Sequence, residues 1–298
     1  MKIVITGANS SVGINLLDHL GRDPAVESII AGVRSEKAFN SLPSDAKIVP
    51  TVIAYDDAAG LEQAASGANV VIHLAGILIE NKHSNYATAN VAATAAVLAA
   101  AKANNAQHFI FISVIGARPD SKNAYYRSKG AAEKLAEESG LNVSILRTPL
   151  LLGPSTAGAW SLLGAAKQDE AKVLGGGHYV MHPLDIDDLS VAISNLCKRE
   201  VSGSTTYELA GPEPIAYCDL IRRFATELGK EIKIGSVPIW LAKIGAAVTS
   251  IVKGGGISPT VIDVITTDEK TSHNADSELG VTLTPLQDTI SKILRANS

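Results

Sequence analysis

Tyr125 and Lys129 stand four residues apart in the run Tyr125-Tyr126-Arg127-Ser128-Lys129. On a helix that spacing puts the phenol and the ammonium on one face. A phenol ordinarily titrates near about 10, too high for proton exchange near neutrality, and a neighbouring ammonium favours the phenolate. Beside a nicotinamide, such a pair can serve as general acid for carbonyl reduction or as base for alcohol oxidation. Ser113, 12 residues before Tyr125, can aim its hydroxyl at the same substrate oxygen. Tyr126 is one step off the spacing and is expected to face elsewhere. A solvent-facing Tyr–Lys pair is the plainer reading, so the surrounding elements have to decide.

A nucleotide cradle is written at the start of the chain. Ile3 to Thr6 reads as a strand that runs into Thr6-Gly7-Ala8-Asn9-Ser10-Ser11-Val12-Gly13 and then a helix to Leu20. Gly7 permits the tight turn, Gly13 permits close helix–strand packing, and the helix N-terminus offers free N–H groups to a pyrophosphate. Ser10 stands where the middle glycine of such loops is usual. An NAD site wants an acid roughly 20 residues further on. That count reaches Val33, beside Arg34, and Ala31 to Ser35 contains no acid. A guanidinium can bind a 2′-phosphate bidentately where an aspartate would repel it. NADP(H) is therefore expected in preference to NAD(H), with NAD(H) left open. Asp56 and Asp57, just past the third strand, would either accept from the adenine amino group or cap a helix.

Elements that could position these groups alternate along the first half. Ser28 to Val33, Lys47 to Val52, Val70 to Leu74, His108 to Ser113 and Val143 to Arg147 read as buried strands. Ala87 to Ala103 and Tyr125 to Ser139 read as helices between them. The alternation predicts an α/β fold: a doubly wound parallel sheet of Rossmann type, with a smaller C-terminal substrate region. Residues 1–149 are expected to form the dinucleotide-binding domain. Residues 150–298 are expected to form mainly the substrate-binding region, partly interleaved with the sheet, because Gly/Pro punctuation loosens the pattern after Pro149.

Composition agrees with this class. The chain has 298 residues, 46% hydrophobic and 19% charged, which excludes a disordered chain. Lys and Arg number 26 against 30 Asp and Glu, a net charge of −4 with no basic run; nucleic acid is not an expected partner. Two cysteines make neither a disulfide framework nor a four-thiolate site. The N-terminus enters a strand directly, so a signal peptide is not expected and the cytoplasm is the default compartment. No segment has the roughly 20 apolar residues of a membrane span. The nearest, Val237 to Val252, reads as an amphipathic helix packed on the protein, with a membrane-surface role as the alternative.

The longer motifs resemble the short-chain dehydrogenase/reductase superfamily in its extended and atypical, NmrA-like branches. The resemblance rests on the loop at Thr6 to Gly13, His73-Leu74-Ala75-Gly76, Asn90-Val91, Phe111 to Ala117, and the Tyr125/Lys129 pair. Arg147 to Pro154, His182 to Leu189 and Tyr207 to Glu213 extend it over almost the whole chain. The Ser113 to Lys129 spacing and the C-terminal run Asn274 to Leu286 look most like the subgroup around the nucleotide-binding accessory subunit of respiratory complex I. The resemblance implies Tyr125 as general acid/base and Lys129 on the nicotinamide ribose. Ser113 would orient the substrate oxygen, and Asn90 would support the proton relay and the helix geometry. Gly7, Asn9, Ser10, Ser11, Val12 and Gly13 would line the pyrophosphate. His73, Leu74, Ala75 and Gly76 would pass beneath the cofactor, and Thr148 and Pro149 would lie by the nicotinamide amide. It implies an oxidoreductase acting on a small carbonyl or alcohol, as a monomer or a homodimer. A non-catalytic NADP(H)-binding sensor or assembly protein is one alternative. A nucleotide-sugar epimerase or dehydratase holding NAD is another, and Arg34 argues against it.

Other signals are weaker. His178 and His182 lie near Asp185, Asp187 and Asp188, but Pro183 keeps the histidines off one helical face, so no metal is expected; an aspartate should cap a helix from Leu189. Cys197 and Cys218 read as buried apolar residues. Gly175-Gly176-Gly177 reads as a flexible loop over the cleft or as a plain turn, and Trp160 and Trp240 are expected to pack in the substrate region.

Overall fold

The computed structural model describes residues 1–253 and 255–297, without the side chains of 251–253. Gly254 and the side chains of Ile251 and Val252 lie outside the described residues.

Seven parallel strands form one sheet. Six are β1 (Lys2–Thr6), β2 (Ser28–Val33), β3 (Ile48–Val52), β4 (Val70–His73), β5 (His108–Val114) and β6 (Val143–Thr148). The seventh, Ser204–Glu208, pairs with β6 at the edge. Across the sheet the order is Ser204–Glu208, β6, β5, β4, β1, β2, β3. The winding reverses between β1 and β4, and in such sheets a ligand crevice opens at the carboxyl ends of the strands at that point. β4 and β5 are apolar on both faces because helices cover both.

On one face α1 (Ser11–Gly21) and the later helix Ile186–Cys197 pack Leu16, Leu17, Leu20, Leu189 and Ile193 against β1 and β2. On the other face lie α2 (Ala58–Ala65), α3 (Ala93–Ala103) and α4 (Ala124–Glu137), with Val97, Ala101, Ala132 and Ala136 against Phe109 and Phe111 of β5. Small side chains at the helix surface let α3 and α4 lie close to the sheet. A third apolar cluster, with Leu162, Ile221, Phe224 and Ile290, is built entirely from residues after Pro149. Among the described residues no helix is long and apolar enough to cross a membrane.

Several local expectations change. Ala87 to Ala103 is not one regular helix: Ala87–Ala92 is a π-helical turn that leads into α3. The helix expected from Leu189 begins at Ile186, because Asp185 caps it by accepting from the Asp187 N–H at 2.9 Å. Gly175, Gly176 and Gly177 form a tight left-handed turn with φ of 57°, 72° and 74°; Gly176 and Gly177 are buried, so it is not a free loop. Trp160 and Trp240 are exposed rather than packed. Trp160 is turned outward by the bond its indole N–H gives to Pro154 O, at 2.9 Å.

Candidate active site

The turn after β1 is shaped by a few contacts. Gly7 has φ of 75°, and a Cβ there would stand 3.0 Å from the Ala75 nitrogen, so only glycine lets the loops after β1 and β4 meet. Ser10 is extended at φ −72°, a conformation that does not require glycine, and its Oγ accepts from the Gly13 N–H at 3.0 Å. The serine in place of the usual glycine is thus the N-cap of α1. A Cβ on Gly13 would stand 2.4 Å from Ala8 O, which enforces the close approach of helix and loop. The Ser11 hydroxyl is spent on Ser155 O at 2.8 Å.

A cavity of about 710 Å³ opens at the switch point. Of the expected cofactor residues, Gly7, Asn9, Ser10, Arg34, Asp56, Leu74, Ala75 and Gly76 line it. Ser11, Val12, Gly13, His73, Thr148 and Pro149 do not, and neither do Tyr125 and Lys129, which lie beyond its Gly76 end. Arg34 is exposed at the cavity and pairs with no carboxylate among the described residues. Its charge favours the ionised form of Tyr55, although burial dominates and raises that phenol. The adjacent aspartates divide the two roles considered for them: Asp56 faces the cavity, and Asp57 caps α2 by accepting from the Gly60 N–H at 3.0 Å. Tyr55, His83, Ser84 and Thr88 also line the cavity, and sequence reasoning missed all four. Tyr55 adjoins the noted Asp56; the others carry no spacing signal.

His73 lies beneath this surface as a structural tie. Its Nδ1 is 2.6 Å from Thr6 Oγ1 and its Nε2 is 3.1 Å from Thr94 Oγ1. Thr94 gives its own proton to Asn90 O at 2.7 Å, so Nε2–H donates to Thr94 and Nδ1 accepts from Thr6. Burial, with help from the Lys129 charge, pulls His73 down to about 3, and the ring is neutral.

Beyond Gly76 the catalytic candidates converge. Asn90 sits in the π-helical turn, a distortion frequent at functional sites. Its Oδ1 accepts from the Ile77 N–H at 2.8 Å, and its Nδ2 donates to Ile77 O at 3.1 Å and to Ser128 Oγ at 2.9 Å. Ser128 in turn donates to Tyr125 O at 2.7 Å. A Cβ on Gly76 would lie 3.2 Å from Asn90 Oδ1 and 3.8 Å from Lys129 Nζ, which puts the loop after β4 directly over this pair. Asn123 begins α4, accepting from the Tyr125 and Tyr126 N–H groups at 3.0 and 3.3 Å. Lys129 is buried; its Nζ donates to Ile112 O at 2.8 Å and stands 4.2 Å from the Phe111 ring centre. Burial pulls it down to about 8. Next along β5, Ser113 is 1% exposed, and its Oγ has no hydrogen-bond partner among the described residues.

Tyr125 is half-buried between Tyr86 and Tyr126, with ring centres 5.8 Å away on either side. Burial, reinforced by both neighbouring phenols, raises Tyr125 above the ordinary tyrosine range. This is opposite to the direction expected from the Lys129 spacing, because the ammonium is turned to Ile112 O. Tyr126 faces elsewhere and lies against Gly116. Thr148 Oγ1 reaches Ser113 O at 3.3 Å. Glu269, another residue that sequence reasoning passed over, accepts from the Leu150 and His182 N–H groups, both at 2.7 Å, and so fixes the chain just past Pro149. Burial raises its carboxyl. Among the described residues no group of three or more His, Cys, Asp or Glu could hold a metal.

The cavity is bordered by a left-handed glycine at the turn after β1 and by the Arg34 guanidinium, which has no carboxylate partner among the described residues. A family model described as NAD(P)H-binding matches residues 7–173. A subunit named NADH dehydrogenase [ubiquinone] 1 alpha subcomplex subunit 9, mitochondrial, from Dictyostelium discoideum is 23% identical over 276 residues, covering 89% of this chain and 74% of the relative. A protein named ceramide reductase from Caulobacter vibrioides is 24% identical, covering 79% of this chain and 73% of its own length. A solved structure, MoeE5 in complex with UDP-glucose and NAD, superposes with a TM-score of 0.77 at 17% identity, covering 100% of this chain and 98% of that one. The chain therefore belongs to the NAD(P)H-binding family, within the extended, NmrA-like short-chain dehydrogenase/reductases.

Proposed function

We propose that the protein is an NADP(H)-dependent oxidoreductase that reduces a small carbonyl compound, with Tyr125 as proton donor. The observation that carries this reading is Ser113 Oγ, buried and unpartnered one residue beyond the Ile112 carbonyl that holds Lys129. A buried hydroxyl without a partner costs about 1–3 kcal/mol, and a substrate oxygen would recover it. A bound nicotinamide would supply the hydride. Tyr125, protonated near neutrality, would give its O–H proton to the developing alkoxide while Ser113 donates a hydrogen bond to the same oxygen. Lys129 would meet the ribose. Asn90 holds Ile77 and the base of α4 in place through Ser128. Thr148 and Pro149, braced by Glu269, would border the nicotinamide amide. This reading gives residues 1–149 the cofactor and residues 150–298 most of the substrate contacts.

Arg34 carries the preference for NADP(H). A charge-assisted contact of a guanidinium with a 2′-phosphate contributes about 1.5–3 kcal/mol. Calorimetric titration should show Arg34→Ala weakening NADPH roughly 10- to 100-fold while NADH is unchanged. Equal affinities for both nucleotides, unaltered by the substitution, would refute the preference.

A further inference from the structure

His73 lies under four of the stretches that border the nucleotide cavity. Its Nδ1 accepts from Thr6, the residue before Gly7, at 2.6 Å. Its backbone leads directly into Leu74 and the loop after β4. Its ring meets Tyr55 edge-on, with ring centres 6.2 Å apart. Its Nε2–H donates to Thr94 Oγ1 at 3.1 Å, next to Ala93. Thr94 carries the run on to Asn90 O at 2.7 Å, and the Asn90 amide holds both the N–H and the carbonyl of Ile77. Gly7, Tyr55, Leu74, Ile77 and Ala93 all line the cavity. Thr6, His73, Thr94 and Asn90 are each 1% exposed or less, and none of their side-chain polar atoms lacks a partner.

We propose that His73 is a positioning residue for the nucleotide: the buried run Thr6–His73–Thr94–Asn90 sets the spacing of the turn after β1, the loop after β4 and the π-helical turn. Both ring nitrogens are spent on protein hydroxyls, so His73 acts through the neighbours of its partners and not by touching the ligand. Such a run adds little net stability, because apolar side chains of the same shape would fill the space about as well. What it supplies is a single arrangement. Apolar packing lets one loop slide over another, whereas two directional bonds on the two sides of a rigid ring hold Thr6 and Thr94 in register. The ring is itself held flat, stacked on Phe111 at 5.7 Å and 17°. The cavity depends on this register, because a Cβ on Gly7 would already stand 3.0 Å from the Ala75 nitrogen. A small shift of either loop therefore alters the surface offered to a pyrophosphate.

The test is calorimetric titration of the full chain with NADPH and NADH, using whichever binds wild type more tightly. It needs no carbonyl substrate, so it stands apart from the reductase reading. Thr94→Val keeps the side-chain shape but breaks the run on both sides, whereas Thr94→Ser keeps the hydroxyl. The valine variant should bind the nucleotide roughly tenfold or more weakly, and the serine variant within about twofold of wild type. In the nucleotide-free valine variant, hydrogen exchange at the Ile77 N–H should rise by a larger factor than at the β5 amides, which report global opening. Should Thr94→Val fail to fold, Thr6→Val, His73→Phe and Thr94→Val together leave no orphaned donor in the run. That triple variant should melt near wild type and still bind the nucleotide roughly tenfold or more weakly. Wild-type affinity in the valine or triple variant would overturn the proposal. So would a serine variant as weak as the valine one, or Ile77 exchange that rises only in step with β5. Wild type that bound neither nucleotide would overturn it outright.

Discussion

Replacing Lys129 by methionine should make the nucleotide-free protein more stable. In the fold this ammonium titrates near about 8 instead of its ordinary 10.5, because burial disfavours the charged form. At pH 7 both folded and unfolded chains carry the proton, and the folded state bears the whole cost, about 3 kcal/mol for that displacement. Between about pH 8 and 10.5 the folded state releases its proton first, so the native protein gains stability as pH rises through that window. Methionine keeps the apolar stem against Phe111 but loses the hydrogen bond to Ile112 O, a loss of about 1 kcal/mol. Lys129→Met should therefore exceed wild type by about 2 kcal/mol at pH 7, with the gap closing towards about pH 9.5. Urea unfolding of both proteins, without nucleotide, at the two pH values measures it. If wild type were the more stable at pH 7, or if the difference did not change with pH, the buried ammonium would not be the strained group described here.

Two further substitutions probe the scaffold of the site. Asn90→Ala removes three side-chain hydrogen bonds, two to Ile77 and one to Ser128; it should cost about 2–4 kcal/mol in urea unfolding and weaken NADPH binding through the loop after β4. Gly13→Ala drives a Cβ to within 2.4 Å of Ala8 O, so the thermal melt should show a loss of about 1–3 kcal/mol.

The sheet was legible because buried parallel strands are short β-branched runs: Ser28–Val33 is found as expected, and the other five first-half strands differ by one residue at an end. The phosphate turn was legible through Gly7 and Gly13, whose roles are local. What Ser10 does there was not, since an N-cap is visible only once the helix start is fixed. The π-helical turn was hidden by an alanine-rich run with nothing in it to mark a distortion. Asn90 in that turn grips Ile77, in a loop 13 residues away that the local sequence does not reveal as a partner. Glu269 was out of reach for the same reason, as its partners Leu150 and His182 are 119 and 87 residues distant. The Tyr125/Lys129 spacing correctly implied one helix, α4. It could not show that Lys129 turns to a strand carbonyl, nor that three tyrosine rings crowd together and raise the Tyr125 phenol.

The most direct measurement is NADPH oxidation by wild type and Tyr125→Phe across a panel of aldehydes and ketones, with NADPH affinity determined for both. Wild type should consume NADPH with at least one carbonyl. Tyr125→Phe should bind NADPH equally and turn over roughly 10²- to 10⁴-fold more slowly. Full turnover by the phenylalanine variant, or tight NADPH binding by wild type with no carbonyl reduced, would contradict Tyr125 as the proton donor of a reductase.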